Sequence, residues 1–214
     1  MARTVGSDGG RTEAAIRTAA AVLIARHGYE AVSMRRLATE VGVQAAALYR
    51  YFPTKEDLLF TLMDEHMRDL AESWRLARPQ GDEAAGRLAA FVRNHVRFHV
   101  GRRHSTHVSN MELRSLSKDR LSAILRLRGA YEKELRQILR DGAEAGDFLI
   151  DDVPLTAIAI IQMLTGVIVW FRPDERLSVA EIADTYHKMT MRLVGAPNHG
   201  EAGHVRPFDE FRAR

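Results

Sequence analysis

The residues best placed for chemistry lie in a short segment near the N-terminus. Gln44, Ala45 and Ala46 follow a glycine-containing turn, and Tyr49 comes one helical turn later. In a helix-turn-helix, the exposed first turn of the second helix is the end whose side chains contact base edges in the DNA major groove. The spacing therefore predicts a DNA-reading head with Gln44, Ala45 and Ala46 as its base-contacting residues.

The neighbouring residues specify the two helices that present these side chains. Leu37 and Val41 place apolar groups on one face of a first helix. Gly42 can leave that helix with a positive φ at little steric cost. Leu48 lies on the inner face of the second helix, and Pro53 prevents that helix from continuing. The turn and both helices are thus predicted from local sequence.

The stretch SMRRLATEVGVQAAALYRYFPTKEDLL resembles the DNA-binding signature of the TetR family of bacterial transcriptional repressors. The resemblance covers residues 11–62, and its most specific part is the Leu-Tyr-x-x-Phe-x-x-Lys pattern at residues 48–55. It implies that Tyr49, Tyr51 and Lys55 hold backbone phosphates of double-stranded DNA. It also implies a repressor that a small-molecule effector releases from a palindromic operator. Members of the family often have Ser or Thr where Gln44 stands, so the operator sequence is left open.

Ser33, Arg35 and Arg36 form a second candidate DNA contact at the start of the preceding helix. Ser33 is a good N-cap, and the resemblance implies that its hydroxyl also contacts phosphate. The helix dipole disfavours two arginines in the first turn of a helix. This local conflict is compatible with charge-assisted contacts to phosphate, and equally with two solvated side chains.

The composition narrows the class of protein. With 214 residues the chain can form one or two compact domains. It contains no cysteine, which excludes disulfides and thiolate metal sites and favours a reducing cytoplasm. A net charge of +3 is too small for the field of the whole protein to drive DNA binding, so a local basic patch must do so.

Helical periodicity continues along the chain and predicts an all-α protein. Residues 12–27 have the spacing of a helix that packs against the head. Thr54 and Asp57 approximate a capping box, which begins a long connecting helix through about residue 77. Because this helix follows the head directly, its tilt would move the head as a lever. The predicted parts are a flexible arm (1–10), a helix-turn-helix domain (11–54), a helical ligand-binding and dimerisation domain (55–195) and a tail (196–214).

The most apolar segment covers residues 155–171. It is shorter than the roughly 20 residues that a membrane span requires, and it contains Gln162. A helix that is apolar on all sides must be covered on all sides, which suggests a subunit interface and not a membrane. Residues 179–193 add an amphipathic stripe that includes Ile182. The two segments together predict a four-helix homodimer interface, which is also how TetR-like proteins usually dimerise.

Histidines offer the only other candidate chemistry. His95 and His99 lie at i, i+4, and His104 and His107 follow. Paired helical histidines can bind metal, but the Glu-x-x-His context of a catalytic site is missing. Nucleophile-elbow, P-loop and dinucleotide-binding patterns are missing as well. The sequence therefore predicts hydrogen-bonded histidines in a core or pocket, with no metal, no cofactor and no enzymatic activity.

The second domain is predicted to bind the effector. Its methionines and phenylalanines could line an elongated apolar cavity, or they could simply fill a core. Residues 91–194 resemble the corresponding parts of TetR-type regulators of fatty-acid and steroid breakdown, whose effectors are acyl-CoA thioesters. On that resemblance Trp170 and Arg172 would hold adenine and phosphate; the alternative is a structural cap on the interface helix. The candidate ligand-binding residues are Met63, Phe91, His95, Phe98, His107, Met111, Met163, Trp170 and Arg172.

The rival to a repressor is a helical enzyme or ligand carrier that has kept a vestigial DNA-binding head. The two hypotheses differ in one property, because only a repressor binds its operator tightly and releases it when a small molecule binds. We expect the effector to enter between residues 82–116 and 121–142 and to act by tilting the connecting helix.

Overall fold

A computed structural model of the protein describes residues 7–81, 83–172 and 176–196. All regular secondary structure in these residues is helical, as the periodicity predicts. In chain order the helices are α1 (Ser7–His27), α2 (Met34–Val41), α3 (Ala45–Tyr51), α4 (Lys55–Ala77), α5 (Ala84–Gly101), α6 (Arg103–Met111), α7 (Lys118–Glu144), α8 (Val153–Thr165), α9 (Val167–Trp170) and α10 (Val179–Leu193), with a 3-10 turn at Leu113–Ser115.

Helices α1 to α3 form the head around a small apolar core. Ile16 of α1, Leu37 of α2 and Leu48 of α3 are buried. Gly42 ends α2 with φ at 74°, and its backbone N–H bonds the last carbonyls of α2, so the predicted turn is confirmed. Helix α1 begins at Ser7. Residues 7–10, assigned to the arm on sequence, therefore belong to the helix, while the remainder of the arm lies outside the described residues.

Helix α4 joins the head to the second domain. Thr54 caps its first turn: the Thr54 hydroxyl accepts a hydrogen bond from the Asp57 N–H, and the Asp57 carboxylate accepts one from the Thr54 N–H. The capping box and the predicted bounds of this helix are confirmed. Its inner face is buried along its length, from Leu58 through His66 to Trp74.

Helix α5 is the centre of the second domain. It packs against α4, α7, α8 and α10, and the most extensive packing in the described part of the chain is between α5 and α10. Ile182 is 2% exposed. The amphipathic stripe of α10 was interpreted from sequence as subunit interface, but Ile182, in the first turn of this helix, is buried within the subunit, because α10 packs on α5.

The apolar segment forms two helices, and not the single helix that was predicted from the sequence. Asp152 caps α8, Pro154 lies in its first turn, and the helix stops at Thr165 before the short α9. By length and composition alone, the span Val153–Trp170 could cross a membrane. Only 28% of this span is buried within the subunit. Leu155 and Val169 are each 63% exposed. The segment therefore leaves an apolar surface open in the single chain.

Candidate functional site

The predicted base-reading residues lie at the exposed start of α3. Gln44 is the N-cap, in extended backbone conformation, and its side chain makes no capping hydrogen bond. Its amide is therefore available to an outside partner. Ala46 is exposed and Ala45 is half-buried. Small side chains at these positions let a duplex approach the helix closely, which leaves Gln44 to supply the hydrogen-bonding groups.

The three predicted phosphate contacts lie around the other end of α3. Tyr49 is 46% exposed, and Tyr51 is half-buried. The Lys55 ammonium lies 3.9 Å from the centroid of the Tyr29 ring and 3.5 Å from the Glu30 carbonyl oxygen. These contacts hold the Lys55 side chain in one place at the edge of the head. A cation held in advance loses less conformational freedom when it meets a phosphate.

Ser33, Arg35 and Arg36 form the exposed start of α2. The Ser33 hydroxyl accepts a hydrogen bond from the Arg36 N–H at 3.1 Å, which confirms the predicted N-cap. The Arg36 guanidinium lies 2.9 Å from Nε2 of His27, at the end of α1. Both arginine side chains are exposed. Their contact with phosphate stays a prediction.

Two sets of contacts link the second domain to the head and to the first turn of α4. The buried Glu112 carboxylate, just after α6, accepts a hydrogen bond from the Tyr29 N–H at 3.0 Å. At the start of α7, the Ser117 N–H donates to the Glu56 carboxylate at 2.8 Å, and Arg120 forms an ion pair with Asp57. The hydrogen bond from Ser117 lowers the pKa of Glu56. The segment after α6 thus contacts the head directly, and α7 contacts the first turn of α4, which follows the head.

A cavity of about 120 Å³ opens inside the second domain. It lies where α4, α5, α6, α7 and α8 meet. The connecting helix α4 is thus one of its walls, and the cavity occupies the region in which the effector was expected. Its lining residues are His66, Met67, Leu70, His95, His99, Ser109, Asn110, Arg128, Tyr131, Glu132, Ile161, Gln162 and Thr165.

Three buried histidines form one side of this cavity. The rings of His95 and His99 stack with centroids 3.9 Å apart, and His66 meets His99 edge-on at 5.7 Å. Nδ1 of His95 lies 3.1 Å from the Tyr131 hydroxyl, and its Nε2 lies 2.9 Å from the Thr165 hydroxyl. Burial lowers the pKa of His66 to about 3 and that of His99 to about 4. It also places the pKa of His95 well below its usual range. All three rings are therefore neutral near pH 7.

Of the predicted ligand-binding residues, only His95 lines this cavity. Met63 and Phe91 are core residues, and Phe98 packs on His66 with ring centroids 5.3 Å apart. Met163 is half-buried. Met63, Phe91, Phe98 and Met163 are not among the residues that line this cavity, and their part in ligand binding stays a prediction.

The other predicted ligand residues lie elsewhere. His107 and Met111 line a separate cavity of about 470 Å³ between α1, α6 and α9. Trp170 is half-exposed and meets Tyr186 of α10 with ring centroids 6.5 Å apart. The Arg172 guanidinium donates to the carbonyl oxygens of Val169 and Phe171 at 3.2 and 2.9 Å. These bonds are those of a cap at the end of α9, the alternative considered for Arg172.

Arg128, the basic residue of the cavity wall on α7, was not predicted as a site residue from the sequence. Its position carried a signal, because Ile124, Arg128, Tyr131 and Leu135 follow the i, i+4, i+7 and i+11 spacing of one helix face. A basic residue on an otherwise apolar helix face indicates that a charged side chain points into the domain. Over the described residues, no group of three or more His, Asp or Glu side chains is placed to hold a metal ion.

A helix-turn-helix head, tied through a long helix to an all-helical domain with an internal cavity, defines a DNA-binding regulator with a sensor domain. Residues 16–62 match the family model for bacterial regulatory proteins of the tetR family, and residues 81–194 match the tetracyclin repressor-like C-terminal domain. The chain therefore belongs to the TetR family, and it is a DNA-binding transcriptional regulator.

Individual relatives agree with the family assignment. The chain is 26% identical to the fatty acid metabolism regulator protein of Bacillus subtilis (strain 168) over 173 residues, which are 78% of this chain and 87% of that protein. A tetR-family regulatory protein from Rhodococcus RHA1 superposes with a TM-score of 0.83 at 31% identity, covering 87% of this chain and 98% of that one.

A third relative carries ligands. The structure of AibR in complex with isovaleryl coenzyme A and operator DNA has a TM-score of 0.75 and 26% identity, and covers 86% of this chain and 99% of AibR. These relatives are regulators and not enzymes, so the comparisons favour a repressor over a helical enzyme or carrier.

Proposed function

We propose that this regulator is a cytoplasmic homodimer that represses transcription from a near-palindromic operator and is released when an acyl-CoA thioester binds its second domain. The observation that carries the proposal is the cavity, because the connecting helix α4 forms one of its walls. Two relatives support the ligand class: one is named for fatty acid metabolism, and the other was solved with isovaleryl coenzyme A and operator DNA.

The dimer face is the apolar surface that the single chain leaves open. Leu155 and Ile158 of α8 and Val169 of α9 are exposed, as are Met189 and Leu193 of α10. Large exposed apolar patches of this kind are typical of protein interfaces. Two copies of this face, related by a two-fold axis, would bury one another and present two α3 helices to successive major grooves.

A short series of contacting residues connects the cavity to the predicted DNA contacts. Ser109 and Asn110 line the cavity on α6. Glu112 follows them and binds the Tyr29 N–H. The Tyr29 ring in turn holds the Lys55 ammonium. A ligand that displaces α6 or α4 would therefore shift the position of Lys55 relative to the operator. This refines the expected lever movement of α4 by adding a second link through α6.

The size of the cavity limits the part of the ligand that it holds. A volume of about 120 Å³ is smaller than the roughly 300–1,000 Å³ of pockets that enclose whole drug-sized ligands. It accommodates a short acyl group, and the coenzyme would remain outside. A short-chain thioester therefore fits this cavity better than the thioester of a long fatty acid or of a steroid, to which the resemblance to regulators of fatty-acid and steroid breakdown also extends.

Selection of binding sites from random duplex DNA, followed by release experiments, tests the function. We expect the selected sites to be near-palindromic, with half-sites about one helical turn apart or slightly more. A labelled duplex carrying the selected site should then lose the protein when short acyl-CoA thioesters are added, as measured by fluorescence anisotropy. A protein that selects no site, or that holds its site equally well at saturating thioester, would contradict the proposal.

A further inference from the structure

Arg128 brings a positive charge into the cavity wall without a carboxylate partner. Its Nη2 donates to the Ser109 carbonyl oxygen at 2.6 Å and to Oδ1 of Asn110 at 3.0 Å. Its Nε is buried and makes no hydrogen bond. Through the described parts of the chain, no acidic side chain forms an ion pair with it, and burial lowers the pKa of its guanidinium. The group nevertheless stays charged, because arginine does not lose its proton in proteins.

The charge is not balanced by the other polar groups of the wall. The Glu132 carboxylate also lines the cavity, and it forms an ion pair with Arg136 one turn further along α7. The three histidines are neutral near pH 7, since burial holds their pKa values low. The Arg128 side chain is half-buried, and a charge that is partly removed from water without a partner costs free energy that a bound anion would recover. Among the residues that line the cavity, Glu132 is ion-paired with Arg136, whereas Arg128 is the charged residue for which no ion pair is found.

Two further donor atoms in the wall lack hydrogen-bond partners, as does Oε1 of Glu132, an acceptor whose carboxylate is ion-paired with Arg136. The Ser109 hydroxyl and Nδ1 of His66 are buried and make no hydrogen bond, and their side chains are 1% and 4% exposed. Both can donate a proton to an acceptor in the cavity. Together with Nε of Arg128 they form a set of donors on α4, α6 and α7. A ligand group with several acceptor atoms and a negative charge matches this set.

The remaining wall and the volume define the rest of the ligand. Met67, Leu70 and Ile161 supply apolar surface. The volume of about 120 Å³ is small for a ligand site, so the space favours a short chain. A chain of a few methylene groups with a small anionic end fits that space.

We propose that the cavity selects a short acyl chain that ends in a carboxylate, and that Arg128 is the residue that binds this carboxylate. The inference rests on the proposed function for the location of the effector site, and it deepens that proposal by naming the end of the ligand. The chemistry is shared by carboxyacyl-CoA thioesters and by free short dicarboxylates, which the experiment separates.

The test is calorimetric titration of the full-length protein with glutaryl-CoA, with hexanoyl-CoA, which has a chain of similar length without the charge, and with free glutarate. We expect the wild type to bind glutaryl-CoA at least about tenfold more tightly than hexanoyl-CoA, the factor that one charge-assisted bond supplies. Arg128→Met should remove that preference while leaving hexanoyl-CoA affinity within a few-fold. Arg128→Lys should keep part of the preference, because it retains the charge without the planar guanidinium.

Arg126→Met is the matched control. Arg126 is exposed on the same helix and bonds Ser122 of that helix. This variant should bind both thioesters like the wild type. Thermal melting of each variant checks folding, and Arg128→Lys keeps the test decisive if Arg128→Met does not fold.

The outcomes separate this inference from the proposed function. A wild type that binds hexanoyl-CoA as tightly as glutaryl-CoA or more tightly overturns the carboxylate inference and leaves the acyl-CoA proposal standing. Binding of free glutarate that depends on Arg128, with no binding of either thioester, supports the inference and overturns the thioester proposal. Binding of none of the three ligands to a protein that still holds its operator overturns the inference as well.

Discussion

The three buried histidines should make the second domain unfold as the pH falls below neutrality. His66, His95 and His99 have pKa values that burial holds below the ordinary value of 6.5, to about 3 for His66 and about 4 for His99. The unfolded chain therefore takes up protons below pH 6.5 that the folded chain excludes. Their contribution to stability is fully present above pH 6.5, and it is lost as the pH falls toward the folded-state pKa values.

The size of this pH dependence follows from the number of protons that the unfolded chain binds and the folded chain excludes. Each proton that the unfolded chain binds and the folded chain excludes changes the free energy of unfolding by about 1.4 kcal/mol per pH unit. His66 and His99 together give a slope approaching about 2.7 kcal/mol per pH unit near pH 5, and His95 raises it toward about 4. Carboxylates titrate mainly below this range. A domain of ordinary stability, about 5–15 kcal/mol, would then lose most of it within a few pH units.

Chemical denaturation followed by circular dichroism, repeated at several pH values from about 7.5 down to about 5, measures this slope. His66→Leu should reduce the slope by about 1.4 kcal/mol per pH unit, whatever it does to stability at neutral pH. Met67→Leu is the control, because Met67 lies in the same cavity wall and carries no titratable group, so its slope should equal that of the wild type. A wild-type stability that is flat from pH 7 to 5, or a His66→Leu slope equal to the wild-type slope, would refute the reasoning.

Three further predictions concern the head, the dimer and the link between domains. Lys55→Ala should weaken binding to all DNA sequences alike and reduce the salt dependence by about one ion, whereas Gln44→Ala should change base preference in a binding-site selection. If Lys55→Ala kept full affinity at moderate salt, the phosphate role would be wrong. Ile158→Asp should yield a monomer in light scattering, because an unpaired carboxylate in the interface costs several kcal/mol; a wild type that is monomeric at micromolar concentration would contradict the interface. Glu112→Gln should weaken the hydrogen bond to the Tyr29 N–H, costing about 1 kcal/mol, and should reduce the effect of ligand on operator affinity. An unchanged ligand effect would show that the link through α6 does not transmit the signal.

The head and the connecting helix could be predicted because local chemistry specifies them. Gly42 provides the positive φ of the turn, and Thr54 with Asp57 provides the capping box that fixes the start of α4. Both features depend on residues a few positions apart, so tertiary packing did not have to be known.

The cavity could not be predicted in the same way, because side chains from five helices meet there. Periodicity placed Ile182 on an apolar face but could not say whether that face meets α5 or another subunit. It likewise placed Phe91 and Met63 inside without distinguishing a core from a pocket wall. The break before α9 also has no simple signal, since Gly166 keeps a helical φ of −57°. Arg128 is the exception, because its charge within a buried stripe is visible in the sequence.

The most direct test of the account is calorimetric titration of one short acyl-CoA thioester into the protein, with and without its selected operator. A ligand shifts the balance between two states only by its differential affinity for them, and the coupling is reciprocal. We expect the thioester to bind the operator complex more weakly than the free protein. The factor should equal the one by which the thioester weakens operator binding. Equal affinity for the free and the operator-bound protein would contradict it.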